Sequence, residues 1–209
     1  MGHVFGAEFR QVENREHLGK PAIAAIAVRS YDTTVDDLWD AITTPERLAR
    51  WFVPVEGDLK LGGRYQLKGN AGGTITRCER PNSLDVTWEF MGGTSWVNVR
   101  LAPDGAKAGL TLEHIAPKDG IGEEHLKQFG PGAVGIGWDL GLHGLERHLL
   151  DPAAPRDQKA IDAWVASSEG KAFVRASGEA WGAAHAASGE NPDEARAKAE
   201  RTIAAYTGA

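Results

Sequence analysis

Hydrophobic and polar positions follow two different periods along this chain. From Ala22 to Tyr31 the Ile and Val content is the main signal, which reads as a strand despite imperfect alternation. Val35, Leu38, Trp39 and Ile42 then recur at helical spacing. Thr33 or Thr34 can cap that helix, and Asp36 and Asp37 suit the positive end of its dipole. Thr44-Pro45-Glu46 opens a second helix, with Leu48, Trp51 and Phe52 as its apolar face. Five strands are predicted next: Leu59–Lys68, Gly73–Glu79, Ser83–Phe90, Ser95–Leu101 and Gly109–Ile115. The breaks between them are short and rich in Gly, Pro, Asn and Asp, as antiparallel hairpins require. Alternation puts Leu61, Gly63, Tyr65 and Leu67, then Leu84, Val86, Trp88 and Phe90, then Val97, Val99 and Leu101, then Leu110, Leu112 and His114 on single faces. The sheet is therefore apolar on one side and polar on the other.

That apolar side needs a cover. A helix from about Ala133 to Leu150 supplies it, with Trp138, Leu142, Leu145 and Leu149 forming one stripe. Gly137, Gly141 and Gly144 lie together beside the stripe. Glycine inside a helix costs about 0.5–1 kcal/mol relative to alanine, so this side is expected to stay small. Either a backbone packs close there or space is left for a ligand. The predicted fold class is α+β: a curved antiparallel sheet of about six strands wrapped around a long helix.

Composition divides the chain at Asp151-Pro152-Ala153-Ala154-Pro155. Residues 152–209 hold 18 Ala in 58 positions, against 13 in the preceding 151. The expected organisation is an N-terminal segment (1–22), a sheet-and-helix domain (23–151) and a helical extension (152–209). The extension shows two or three narrow apolar stripes and a start signal at Asn191-Pro192-Asp193-Glu194. It is expected to pack on the domain or on a second copy as a stabilising appendage, a homodimer interface or a lid. A net charge of −6 argues against nucleic acid as a partner. No apolar run reaches a membrane span, no signal peptide is visible, and the expected location is cytoplasmic. Cys78 is the single cysteine, so no disulfide forms within the chain. No spaced ligand set implies a metal or a cofactor.

Several segments taken together carry a resemblance: VRSYDTTVDDLWDAITTPERLARWFVP (28–54), GDLKLGGRYQL (57–67), GGTITRCERPNSLDVTWEF (72–90) and AGLTLEHIAP (108–117). This pattern is similar to the START/SRPBCC superfamily, which has the helix-grip fold of the birch pollen allergen. It most resembles the group named for the C-terminal domain of the activator of the ninety-kilodalton heat-shock-protein ATPase. The resemblance implies a deep, mostly apolar cavity between sheet and long helix. Members bind lipids, plant hormones, polyketides or aromatic metabolites, and some are cyclases, dehydratases or hydroxylase subunits. The eukaryotic activator's separate N-terminal domain has no match here, residues 1–22 being too short for it.

Within that frame, Trp51, Phe52, Tyr65, Trp88 and Trp138 are candidate cavity walls, with Tyr65 and the indole N–H groups as orienting donors. Val97, Leu112, His114 and Gly141 complete the candidate ligand-binding set. The alternative is that these side chains are simply core. His114 and Tyr65 are the only catalytic candidates, His114 as an acid/base or as a neutral imidazole bonded to a backbone or indole group. Asp139 and His143, one helical turn apart, lie about 100° from the Trp138 stripe and are expected to face solvent or the extension. Cys78 is read as inert. Three functions remain open: binding of a small apolar or aromatic molecule; a cyclase-, dehydratase- or hydrolase-like enzyme acting on it; and a co-chaperone or protein-interaction module.

Overall fold

The computed structural model describes residues 6–208. Its strands are β1 (Phe9–His17), β2 (Lys20–Tyr31), β3 (Val55–Gly57), β4 (Arg64–Leu67), β5 (Gly72–Glu79), β6 (Ser83–Phe90), β7 (Gly93–Asp104) and β8 (Lys107–Pro117). Its helices are α1 (Val35–Thr43), α2 (Pro45–Trp51), α3 (Glu123–Phe129), α4 (Gly132–Leu150), α5 (Gln158–Ala166), α6 (Ser168–Ala187) and α7 (Pro192–Thr207). The eight strands form one antiparallel sheet in the order β1-β2-β8-β7-β6-β5-β4-β3. Strands β3 to β8 are a meander that closes onto β2, and helices α1 and α2 bridge the two ends.

The expected architecture is present with more strands than the six read from the pattern. Strand β1 falls in the N-terminal segment, where no element was expected. Its only buried residue is Val12. An edge strand of this kind has no apolar alternation to detect. Its turn is Leu18-Gly19, both at positive φ, a geometry suited to a two-residue hairpin. Leu59–Lys68 is not one strand. Leu59 to Gly63 make a turn, Leu61 is exposed, and only Arg64–Leu67 enters the sheet. The short strand β3 and helix α3 were likewise unread.

Local signals account for the helices. Thr34 Oγ1 accepts from the Asp37 amide at 3.2 Å, and Asn191 Oδ1 accepts from Asp193 and Glu194 at the start of α7. Helix α4 lies across the concave face over Ile23, Ala25, Val97, Val99, Leu110 and Leu112, its own Ile136, Leu142 and Leu145 pointing down into them. The extension folds back on the same chain. Phe173, Val174 and Trp181 of α6 are almost completely buried, and α6 lies against α4, α7 and β1. No helix among the described residues is long and apolar enough to cross a membrane.

Candidate functional site

Between the sheet, α2 and α4 the core is not filled. A cavity of about 180 Å³ remains there. Eight of the nine candidate ligand-binding residues line it: Trp51, Phe52, Tyr65, Trp88, Val97, Leu112, Trp138 and Gly141. Apolar side chains of β4 to β8, α1 and α4 complete the wall, and the exposed Cys78 and half-exposed Leu59 sit at its rim.

Elements from distant parts of the chain bring these walls together. The end of α2 carries Trp51 and Phe52 onto α4 because Gly144 has no side chain. A Cβ there would lie 3.0 Å from the Trp51 carbonyl oxygen. At Gly141 the reverse holds: the nearest atom to such a Cβ is Phe52 Cε2 at 4.0 Å, so the missing side chain leaves space. The glycine side of α4 therefore serves both purposes that its sequence suggested. The rings form a continuous aromatic wall. Phe52 stacks near Trp138 at 6.2 Å between centroids, and Trp88 meets Trp138 edge-on at 5.2 Å.

The hydrogen-bond donors expected to orient a ligand are mostly occupied. Trp51 Nε1–H donates to the Ala41 carbonyl at 2.9 Å, and the Tyr65 hydroxyl donates to the Thr87 carbonyl at 2.8 Å. Burial raises the Tyr65 pKa above the usual tyrosine value, so this phenol stays protonated. Trp138 Nε1–H donates to His114 Nδ1 at 3.0 Å. Among the described residues, the Trp88 indole N–H has no protein acceptor.

His114 does not line this cavity. It lies beyond Trp88, in a second and wider cavity of about 680 Å³ that also touches Ser95, Phe90, Ile121 and His125. Its tautomer follows from its partners. An indole can only donate, so Nδ1 accepts and the proton sits on Nε2. Nε2 is 2.9 Å from Ser95 Oγ, whose own hydroxyl is 3.2 Å from the Trp88 carbonyl. The result is a chain running from Trp138 through His114 and Ser95 to the Trp88 backbone. Burial pushes the His114 pKa down to about 4, so the imidazole is neutral near pH 7.

Of the two surroundings expected for Asp139, solvent or the extension, the structure shows the extension, joined by β1. Asp139 is completely buried. Its Oδ1 accepts from the Ala7 amide at 2.8 Å, and its Oδ2 accepts from Arg10 Nε at 2.8 Å, Ser177 Oγ at 2.5 Å and Trp181 Nε1 at 3.0 Å. Helical spacing could give only its angle from the Trp138 stripe. It could not show that β1 and α6 both close over that angle. His143 is part of the same covered surface, stacked 5.0 Å from Trp164. No group of three or more potential metal ligands occurs among the described residues.

A sheet gripping a long helix around an aromatic-walled cavity is the geometry that the sequence resemblance implied. A family model described as Activator of Hsp90 ATPase homolog 1-like protein matches residues 32–149, more than half of the chain. The chain belongs to this family. Two solved structures of CalU16 from Micromonospora echinospora agree with the assignment. The crystal structure is 34% identical, covers 76% of this chain and 96% of that one, and has a TM-score of 0.60. The solution structure is 30% identical, with 97% and 94% covered and a TM-score of 0.63. MLL2253 from Mesorhizobium loti, 20% identical with 63% and 98% covered and a TM-score of 0.53, shares the fold. No curated sequence matches the chain. As a member of the Hsp90-activator-like family, the chain has the START/SRPBCC helix-grip core. The CalU16 solution structure also matches through the helical extension, which the family model stops short of.

Proposed function

We propose that this protein binds one small, flat, apolar or aromatic molecule in the 180 Å³ cavity. The carrying observation is a preformed apolar space walled by Trp51, Phe52, Trp88 and Trp138 between the sheet, α2 and α4. An apolar cavity of about 150 Å³ holds a benzene-sized guest, so the space suits about one aromatic ring with small substituents. Recognition rests on shape and ring faces, and the Trp88 N–H is the donor left for a ligand oxygen.

Binding is favoured over turnover by the same geometry. A general acid or base must reach the reacting atom. His114 lies outside the cavity with both ring nitrogens occupied, and the Tyr65 hydroxyl is held by Thr87. The core contains a cavity, which an interaction module would not need. We read the extension as a stabilising appendage, since a single chain already buries its apolar stripes against α4 and β1. Sedimentation is then expected to show a monomer.

Cys78 provides the test, because it is the single thiol and it borders the cavity. Toluene should slow its modification by a thiol reagent at least about threefold, an occupancy of roughly two thirds. Gly141→Leu, which fills the gap from the helix side, should abolish that protection. An unchanged modification rate at saturating toluene would sink the proposal.

A further inference from the structure

A separate cleft of about 510 Å³ lies on the other side of Trp51 and Phe52, between α2, α4 and α5. Its walls differ from those of the central cavity. Trp164 and Leu140 give it an apolar floor, and Arg50, Arg147 and Arg156 give it three guanidinium groups. Those arginines are unusual in this chain. It carries 29 acidic residues, and ten of its fourteen arginines pair with a carboxylate. Among the described residues, three of the four that do not are the three in this cleft. Arg50 donates to the Pro152 carbonyl at 2.7 Å. Arg147 and Arg156 have no side-chain partner among the described residues.

Two polar atoms in the wall of the cleft, one of them on Arg156 itself, are buried without a partner. His148 lines the cleft, is 5% exposed, and its Nδ1 is buried without a hydrogen bond. Arg156 Nε is in the same condition. Buried polar atoms are nearly always hydrogen-bonded, so two such orphans in the wall of one cleft are unusual. Two carboxylates also border the cleft. Asp157 is engaged as the α5 cap on the Ala160 amide, and Asp151 is exposed on the rim. Neither reaches a guanidinium within ion-pair distance.

We infer that this cleft is a second binding site, for an amphipathic small molecule with an anionic head, a carboxylate or a phosphate monoester. The head meets Arg147 and Arg156, and the apolar body lies on Trp164 and Leu140. Arginine forks match both kinds of anion. This site is distinct in chemistry from the central cavity and does not depend on that cavity being occupied.

The test is calorimetric titration of the full chain with decanoate, decyl phosphate and decanol, which share one tail and differ in the head. At least one anion should bind about tenfold or more tighter than decanol, and the stronger of the two names the head. That advantage should shrink to less than about threefold in Arg147→Gln/Arg156→Gln, whose fold rests on no contact of either side chain. Equal binding of all three probes would overturn the inference. So would an anion preference that survives in the double variant. Neither result bears on Cys78 protection by toluene, so the two sites stand or fall separately.

Discussion

His114 shows what a single side chain gains from its neighbours. Its place among Leu110 and Leu112 is plain from alternation, but its role depends on Trp138 and Ser95, which come from other elements. Both ring nitrogens are engaged only in the neutral tautomer. With the folded pKa depressed to about 4, below the unfolded 6.5, the unfolded chain binds the proton more readily. The stabilisation is thus fully present above pH 6.5 and is lost as pH falls toward 4. Burial also holds His143, His148 and His185 below the usual value, so they add to the same slope. His114→Gln should flatten the fall in unfolding free energy between pH 6.5 and 4, by urea denaturation, to a measurable fraction of the wild-type slope. An unchanged slope would mean that His114 titrates normally in the folded protein.

At the scale of elements, α4 carries opposite demands on its two glycine sides. A Cβ at Gly135 would lie 2.4 Å from the Trp181 indole, so that glycine is what lets α6 seat against α4. Gly135→Ala should lower stability by about 1–3 kcal/mol through overpacking. A Cβ at Gly141 meets nothing closer than 4.0 Å, so Gly141→Ala should raise stability by about 0.5–1 kcal/mol. Thermal melting of the two single variants gives the comparison, and shifts of the same sign would refute this account of the helix. The strands differ in the same way. Strands β7 and β8 show their buried faces in their sequences, whereas β1 carries charge on both faces and is held by pairing with β2.

For the molecule as a whole, Asp139 is the point where three parts of the chain meet. It joins the N-terminal segment through Ala7 and Arg10, and the extension through Ser177 and Trp181. Removing one partner of a buried ion pair costs about 3–5 kcal/mol, because the other is left uncompensated. Asp139→Ala should therefore lose stability of that order. Amide exchange should also rise along α6 and β1 before it rises in β7 and β8. Uniform exchange across the sheet would show that the extension is not a separately released layer.

The sequence by itself determined the α+β grip of sheet on helix, the meander of β5 to β8, the caps of α1 and α7, and the side chains now found around the cavity. The elements rest on local periodicity, capping or turn chemistry, which a short window of residues contains, and the cavity walls are what the family resemblance implies. Tertiary structure alone decided the rest. It put β1 on the sheet edge, placed His114 behind Trp88 rather than in the cavity, buried Asp139, and gathered three arginines that pair with no carboxylate beside Trp164. Arg50 and Arg156 are more than a hundred residues apart, and each is an ordinary surface residue in its own window. What they form together is set by how α5 is held against α6 and, through Trp164 on His143, beside α4, which no local pattern encodes.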